Sequence, residues 1–462
     1  MKELGIYDLN IVEFYKKNIK SFNKEFVILD SPSADKLSNF SYIVGEFKSK
    51  IIIKDNKIFV DNIEIIEGDI FDVLRKIKSE NMNCVENIEF LNNVFTGGYI
   101  SIISYEFNKY IEDIDITTID DLKLPDAIFV IPQLIIIRDE KKNKFYEINF
   151  TKEKFDWDFN FKNKKKLKTE LEDIDYKKLK SYNVNMEKNK FYNIVKKAKE
   201  YIKAGDIFQV NLSQRFSCDI ESKDQFKLYE ILRDINPSPF ASFAKFKEFT
   251  LISQSPERLI SLNGDKVETR PIAGTRRKED NTEAIMESEL IMSEKERAEH
   301  IMLVDLERND IGRVCEYGTV KVDELMEIEK YSHVMHIVSN VIGKLNKKYD
   351  EFDLLKAVFP GGTITGAPKI RCMEIINELE PTRRSFYTGS IGYIGFNKIM
   401  DLNIIIRSFI KKNKNIFFQV GAGIVYDSIP EREYKETINK ARAMIVSFET
   451  LINQNKIRGD EE

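Results

Sequence analysis

The stretch at 293–313, SEKERAEHIMLVDLERNDIGR, carries good helix formers and neither Gly nor Pro before Gly312, so it predicts one long helix. Glu296 and Glu299 fall on one face about a turn apart and repel each other unless a cation lies between them and a partner. A second pair stands near the other end of the chain. In IPEREYKETINKARAM, at 429–444, Glu433 and Glu436 repeat the spacing on a helix whose start is marked by Ser428 and Glu431 as a capping box, with Pro430 in the first turn. Two E-x-x-E faces suggest one divalent site, and all-oxygen carboxylate ligation suits Mg²⁺. Charged pairs on a Lys/Glu-rich helix are usually solvated surface. Here each pair has a neighbour that plain surface does not need: ERNDIGR after the first, GAGIV before the second.

Outward from these helices, the chain reads in short units. Phe191, Ile194, Val195, Ala198 and Ile202 share a helical face that Gly205 ends. In IFQVNLSQRF, Phe208, Val210 and Leu212 alternate with Gln209, Asn211 and Ser213, which predicts a strand with one packed face and one that can meet a polar ligand. SPERLISLNGDKVETRPIAGTRR reads as a hairpin turning at Asn263-Gly264, with Glu257 at its entrance and Gly274-Thr275 at its exit. SHVMHIVSNVIGKL reads as a strand, and FPGGTITGAPK as a glycine-rich loop entering the helix KIRCMEIINELE. LNIIIRSFI and IFFQVGAGIVYD read as one further hairpin. Residues 1–150 hold strand-like segments, with KIIIKDNKIFV turning at Asp55-Asn56. Residues 151–187, highly charged and holding the lone Trp157, read as a linker or insertion before a catalytic region at 188–455.

Composition narrows the function classes. The chain has 462 residues, 42% hydrophobic and 32% charged, enough for one large domain or two or three ordinary ones. Its apolar runs are too short for a membrane span and its start lacks a signal-peptide pattern, so a cytoplasmic protein with no membrane partner is expected. A net charge of −4 gives no reason to expect nucleic acid, and the lysines at 164–168 are soon followed by acidic residues. Four scattered cysteines without C-x-x-C spacing support neither a disulfide framework nor a zinc site.

Taken in order, DIFQVNLSQRF, SPERL, RPIAGTR, AEHIMLVDLERNDIGRV, HVMHIVS, FPGGTITGAPKIR, YTGSIGY, IIIRS and GAGIVYDSIPEREYKET resemble the chorismate-utilising enzymes, the family of anthranilate synthase component I and aminodeoxychorismate synthase component I. The likeness is dense over 188–450 and thinner before it, through LDS at 29–31, GGYISIISYEF and DDLKLPDAIF. It implies an α+β, anthranilate synthase component I-like fold: two facing antiparallel β-sheets with helices packed outside and the active site in the cleft. It also implies Mg²⁺ held by Glu299 and Glu436, with Glu296 and Glu433 acting through water, so that acidic walls accept a dicarboxylate. For the enolpyruvyl carboxylate the family analogy supplies Arg407, Tyr387 and a nest of amides at Gly421, Ala422 and Gly423, with Gly274 and Thr275 beside the substrate.

Loss of the C4 hydroxyl of chorismate needs a proton, and by analogy Glu257 supplies it, with His336 and Thr363 on the polar wall. Taken alone, His336 fits a hydrogen-bonded core residue equally well, and Arg407 a structural ion pair. Relatives that add water carry a lysine base at the place of Gln209, so this chain is expected to use ammonia, and having no glutaminase-like segment it implies a glutamine amidotransferase subunit as partner. Ala273 stands where many aminodeoxychorismate synthases carry a ring-attacking lysine, as in anthranilate synthases. ELEPTRRSFYTGSIGY and LDS resemble the para-aminobenzoate branch, which makes aminodeoxychorismate synthesis the expected activity and anthranilate synthesis the alternative. An inactive chorismate or tryptophan sensor would be expected to lose acid or metal residues, and Glu257 and all four glutamates are present.

Overall fold

The computed structural model describes residues 1–22, 25–32, 39–65, 68–85, 94–160, 182–220, 225–277, 287–288, 290, 292–330 and 334–459. The lysine cluster at 164–168 and the acidic residues after it lie outside the described residues. The architecture turns on two long strands, Phe40–Lys54 and Ala127–Asp139, paired antiparallel from Phe40↔Asp139 to Ile53↔Ala127. One half of this ribbon is flanked by Phe26–Asp30 and Lys144–Asn149, the other by Lys57–Val60 and Gly98–Ile103. Between the halves Glu46 takes a φ of 48°, the register slips between Phe47 and Ser49, and Pro132 sits opposite. A bulge and a proline bend the ribbon there.

One continuous antiparallel network thereby becomes two facing sheets. From the ribbon, the first sheet runs through Phe26–Asp30, Phe240–Lys245, Thr250–Ser255, Ser408–Lys412 and Asn415–Ile424 to Gln209–Asp219. The second runs through Gly98–Ile103, Ser390–Gly395, Ile399–Asn403, Arg258–Asn263 and Lys266–Thr269 to Val334–Lys344 and Lys321–Lys330. Segments from both ends of the chain thus share each sheet.

Side-chain parity sets the layers. Val44, Ile135, Leu251 and Ile410 of the first sheet meet Ile100, Ile102 and Ile391 of the second in a core between them. The opposite face of the first sheet, with Ile43, Phe216, Ile252 and Phe418, is covered by the helices Ile11–Asn18, Gln225–Ile235 and Pro430–Gly459. The outer face of the second, with Ile53, Ile260 and Leu402, is covered by Ile70–Glu80, Glu351–Val358 and Lys369–Leu379. Among the described residues no helix is long and apolar enough to cross a membrane.

Local readings mostly hold. Ser293 caps the helix Glu294–Gly312 by accepting the Glu296 amide, and Gly205 ends Lys188–Ala204 with a φ of 84°. Asp55 and Asn56 both take positive φ in the expected hairpin. Four expectations change. Asn263 pairs with Lys266, so that turn is Gly264-Asp265, one residue later. Phe208 precedes the strand Gln209–Asp219 and is 70% exposed instead of packed. The Ser428 hydroxyl accepts from the Val425 amide, and the first turn of Pro430–Gly459 closes on the Ile429 carbonyl, so Ser428 and Glu431 form no capping box. Finally, LNIIIRSFI is not one strand: it breaks at 404–407, where the chain leaves Ile399–Asn403 in the second sheet for Ser408–Lys412 in the first. Arg407 takes a φ of 51° in this break.

Candidate active site

A second crossing lies beside that break. The chain leaves the first sheet at Ser255 and enters the second at Arg258, with Pro256 and Glu257 between. The two crossings are bonded together: Ile404 N–H donates to the Glu257 carbonyl at 3.0 Å and Gln254 N–H to the Arg407 carbonyl at 3.2 Å. Glu257 and Arg407, 150 residues apart in sequence, are thereby fixed side by side where the sheets diverge.

Burial pushes the Glu257 carboxyl up to about 7, against the opposing pull of the Thr363 hydroxyl, the Arg407 guanidinium and Lys440. Thr363 comes from the short turn Gly362–Ile364 inside FPGGTITGAPK. His336, 2% exposed on Val334–Lys344, is pulled down to about 4 by burial and then by Arg407. Its Nδ1 lies 3.1 Å from the Gly274 carbonyl oxygen, which only accepts, so the neutral ring carries its proton on Nδ1 and presents Nε2 as acceptor. Gly274 takes a φ of 60°, and a Cβ there would lie 2.9 Å from Glu296 Oε2. Thr275 follows with its backbone paired to His336.

Glu299, one turn after Glu296, reaches the other wall of the cleft. Gln209 Nε2 donates to Glu299 Oε1 at 3.0 Å. Glu299 is held above the usual carboxylate range by burial first, then by Glu296 and Glu436, against the Gln209 bond and Lys440. Glu436 is about half exposed and accepts from Lys440 at 2.9 Å, while Glu433 is buried one turn earlier. The carboxylates of the two helices are therefore close enough for Glu436 to raise Glu299. Among the described residues, however, no three Asp, Glu, His or Cys side chains close on a common point as a self-sufficient metal centre would.

Between these walls runs Asn415–Ile424, in which Gly421 and Gly423 have no side chain to fill the cleft. A Cβ on Gly423 would lie 2.5 Å from Gln209 Nε2, and one on Gly421 would lie 2.9 Å from the Tyr387 hydroxyl. Ala422 points the opposite way, fully buried in the outer core. This segment is regular strand with no positive φ, so its successive amides face opposite edges and the expected nest of convergent donors is not formed.

Three features escaped the sequence reading. Lys440 Nζ donates to the Gly421 carbonyl at 3.1 Å as well as pairing with Glu436, which its i+4 spacing could have signalled. Arg384, 1% exposed, pairs with Glu380 and donates to the carbonyls of Ile364 and Asn211 at 2.9 and 2.7 Å. Glu380 also accepts from Ser213 N–H and Oγ–H, so this buried pair ties the glycine-rich loop to the strand bearing Gln209. Glu307, the third, is buried on the Glu294–Gly312 helix and bonds Thr269.

Two antiparallel sheets with a cleft where chain crossings set a protonatable carboxyl beside a guanidinium, opposite a glutamate pair, suit acid-assisted chemistry on an anionic substrate. The chain belongs to the chorismate binding enzyme family, whose profile matches residues 24–446. It is similar to aminodeoxychorismate synthase component 1 of Bacillus subtilis, 46% identical over 79% of each chain. It is also similar to anthranilate synthase component 1 of Aquifex aeolicus, 43% identical over 77% of this chain and 75% of that one. The crystal structure of anthranilate synthase component I from Streptococcus pneumoniae superposes with a TM-score of 0.76 at 34% identity, covering 88% of this chain and 92% of the other. The protein is thus a chorismate-utilising enzyme with the expected fold.

Proposed function

We propose that the protein aminates chorismate with free ammonia to give 4-amino-4-deoxychorismate, the precursor of para-aminobenzoate and so of folate. The observation that carries the ammonia reading is Gln209: a buried neutral amide, bonded to Glu299, at the position where relatives that add water use a lysine base. Ala273, 7% exposed beside Gly274, likewise offers no amine for covalent attack on the ring. The nitrogen must then arrive as ammonia, and the "component 1" names of the relatives support a docked amidotransferase subunit as its source.

In this reading Glu257, protonated below about pH 7, gives its proton to the C4 hydroxyl, which leaves as water while ammonia adds at C2. A second ammonia adds at C4 and expels the C2 amine, so no pyruvate is released. Arg407 and Tyr387 hold the enolpyruvyl carboxylate above the space that Gly421 and Gly423 leave open, and neutral His336, Thr363 and Gly274 line the ring. Glu299 and Glu436, with Glu296 and Glu433 through water, suit Mg²⁺: their mutual repulsion at Glu299 is what a divalent ion would relieve. Such an ion, completed by water and a substrate carboxylate, would supply the positive charge that lets an acidic cleft accept a dicarboxylate.

A second reading, anthranilate synthesis with pyruvate release, is favoured by Ala273 and by the Aquifex relative. Chorismate, Mg²⁺ and excess ammonium salt separate the two. Mass spectrometry should find 4-amino-4-deoxychorismate, and a lactate dehydrogenase-coupled assay should find no pyruvate. Fluorescent anthranilate with stoichiometric pyruvate would replace the first reading by the second.

A further inference from the structure

Behind Glu257 lies a second buried carboxyl, Glu307, 4% exposed and facing two segments at once. On one side the Thr269 hydroxyl lies 3.0 Å from Glu307 Oε2 and 3.0 Å from the carbonyl oxygen of Leu259, two residues after Glu257 on the same run of chain. A hydroxyl has one proton and a carbonyl can only accept. Thr269 therefore has one proton for two acceptors at equal distance, and both contacts can be hydrogen bonds together only if Glu307 carries a proton of its own, as the carboxylic acid. On the other side the glycine-rich loop lies flat against the helix: a Cβ on Gly362 would sit 2.3 Å from Leu306 Cδ2 and 3.5 Å from Glu307 Oε1. Gly362 immediately precedes Thr363, the hydroxyl that faces Glu257.

The surrounding charges agree. Asp310, one turn on, accepts from the Lys369 ammonium, whose other bond goes to the Val358 carbonyl at 2.9 Å. One lysine thus serves two buried carboxyls and sits on Asp310. Burial first, then Asp310, push Glu307 up, with Glu257 acting in the same direction and Lys369 opposing, as Thr269 also would wherever its own proton turned to the carboxylate.

We propose that Glu307 is a positioning residue, held as the neutral acid, that bonds the strand entered at Glu257 through Thr269, packs against the loop carrying Thr363, and so sets the spacing of those two side chains. This rests on Glu257 as the proton donor of the proposed reaction. Glu307→Gln keeps a donor toward Thr269 without a titrating group, so kcat and the alkaline limb of the pH profile should stay within a few-fold of the parent enzyme. Glu307→Ala should lower kcat roughly 10- to 100-fold with little change in KM, since the acid is misplaced while substrate groups remain. Infrared difference spectra of parent minus Glu307→Gln, recorded near neutral pH, should contain a protonated-carboxyl C=O band. The proposal is overturned if Gln is as damaging as Ala, if Ala is harmless, or if the difference band is that of a carboxylate. Should the Ala variant not fold, the Gln variant and the infrared band decide. Should the parent enzyme consume no chorismate, the functional reading fails, while the infrared band still decides whether the tie exists.

Discussion

Replacing Glu257 by Gln should move activity and stability in opposite directions. The carboxyl is shifted from 4.5 to about 7 because burial disfavours its charged form, and it is only 6% exposed. The folded protein therefore keeps a proton there that the unfolded chain releases. Relative to low pH, stability falls as pH rises from 4.5 to about 7 and stays reduced above that. At about 1.4 kcal/mol per pH unit, this costs on the order of 3 kcal/mol at the alkaline end. Glutamine has nearly the same shape and no charge to desolvate. The variant should match the parent in acid and be more stable above pH 7 by up to that amount, read as a higher urea midpoint. Its kcat for chorismate consumption with saturating ammonium should fall by about 10²- to 10⁴-fold, the usual contribution of a positioned acid. Calorimetric binding of chorismate should persist, and the alkaline limb near pH 7 should vanish from the residual activity. Equal urea midpoints for parent and variant at both ends of the pH range would refute the buried neutral acid. Lost chorismate binding without a separate loss of chemistry would refute the proton-donor role.

Two further substitutions probe the opposite wall. Glu436→Gln should weaken Mg²⁺ binding measured by calorimetry and abolish turnover at limiting Mg²⁺, with an unchanged circular dichroism spectrum, since its side chain is about half exposed; unchanged Mg²⁺ affinity would remove this carboxylate from the metal site. Gly423→Ala places a methyl 2.5 Å from Gln209 Nε2 and should break the Gln209–Glu299 bond, lowering kcat about tenfold or more while thermal stability changes little; full activity would mean that this bond does not organise the nucleophile's side of the cleft.

What could be read from the sequence was of short range. The helix after Ser293, the Gly205 stop and the Asp55-Asn56 turn each follow from a cap, a left-handed residue or a two-residue hairpin, where neighbours in sequence are the physical partners. The E-x-x-E spacing likewise puts two carboxylates on one helical face whatever the rest of the chain does. The order of the motifs carried the family and hence the fold. Tertiary structure decided what depends on partners far away along the chain. LNIIIRSFI has uniform strand propensity, yet it breaks because its two ends pair with Arg258–Asn263 and Thr250–Ser255 in different sheets, and that break is what sets Arg407 beside Glu257. Phe208 continues a periodic pattern and its amide still bonds the Ala367 carbonyl, but it stands just before the strand Gln209–Asp219 and its ring stays 70% exposed among the described residues. The Arg384–Glu380 pair, the Lys440 contact with Gly421 and the Thr269–Glu307 bond join residues whose sequence surroundings look like ordinary charged helix or loop. The first and last of these come from burial and the Lys440 contact from the packing of its helix on Asn415–Ile424, and both are properties of the packed sheets that no local window contains.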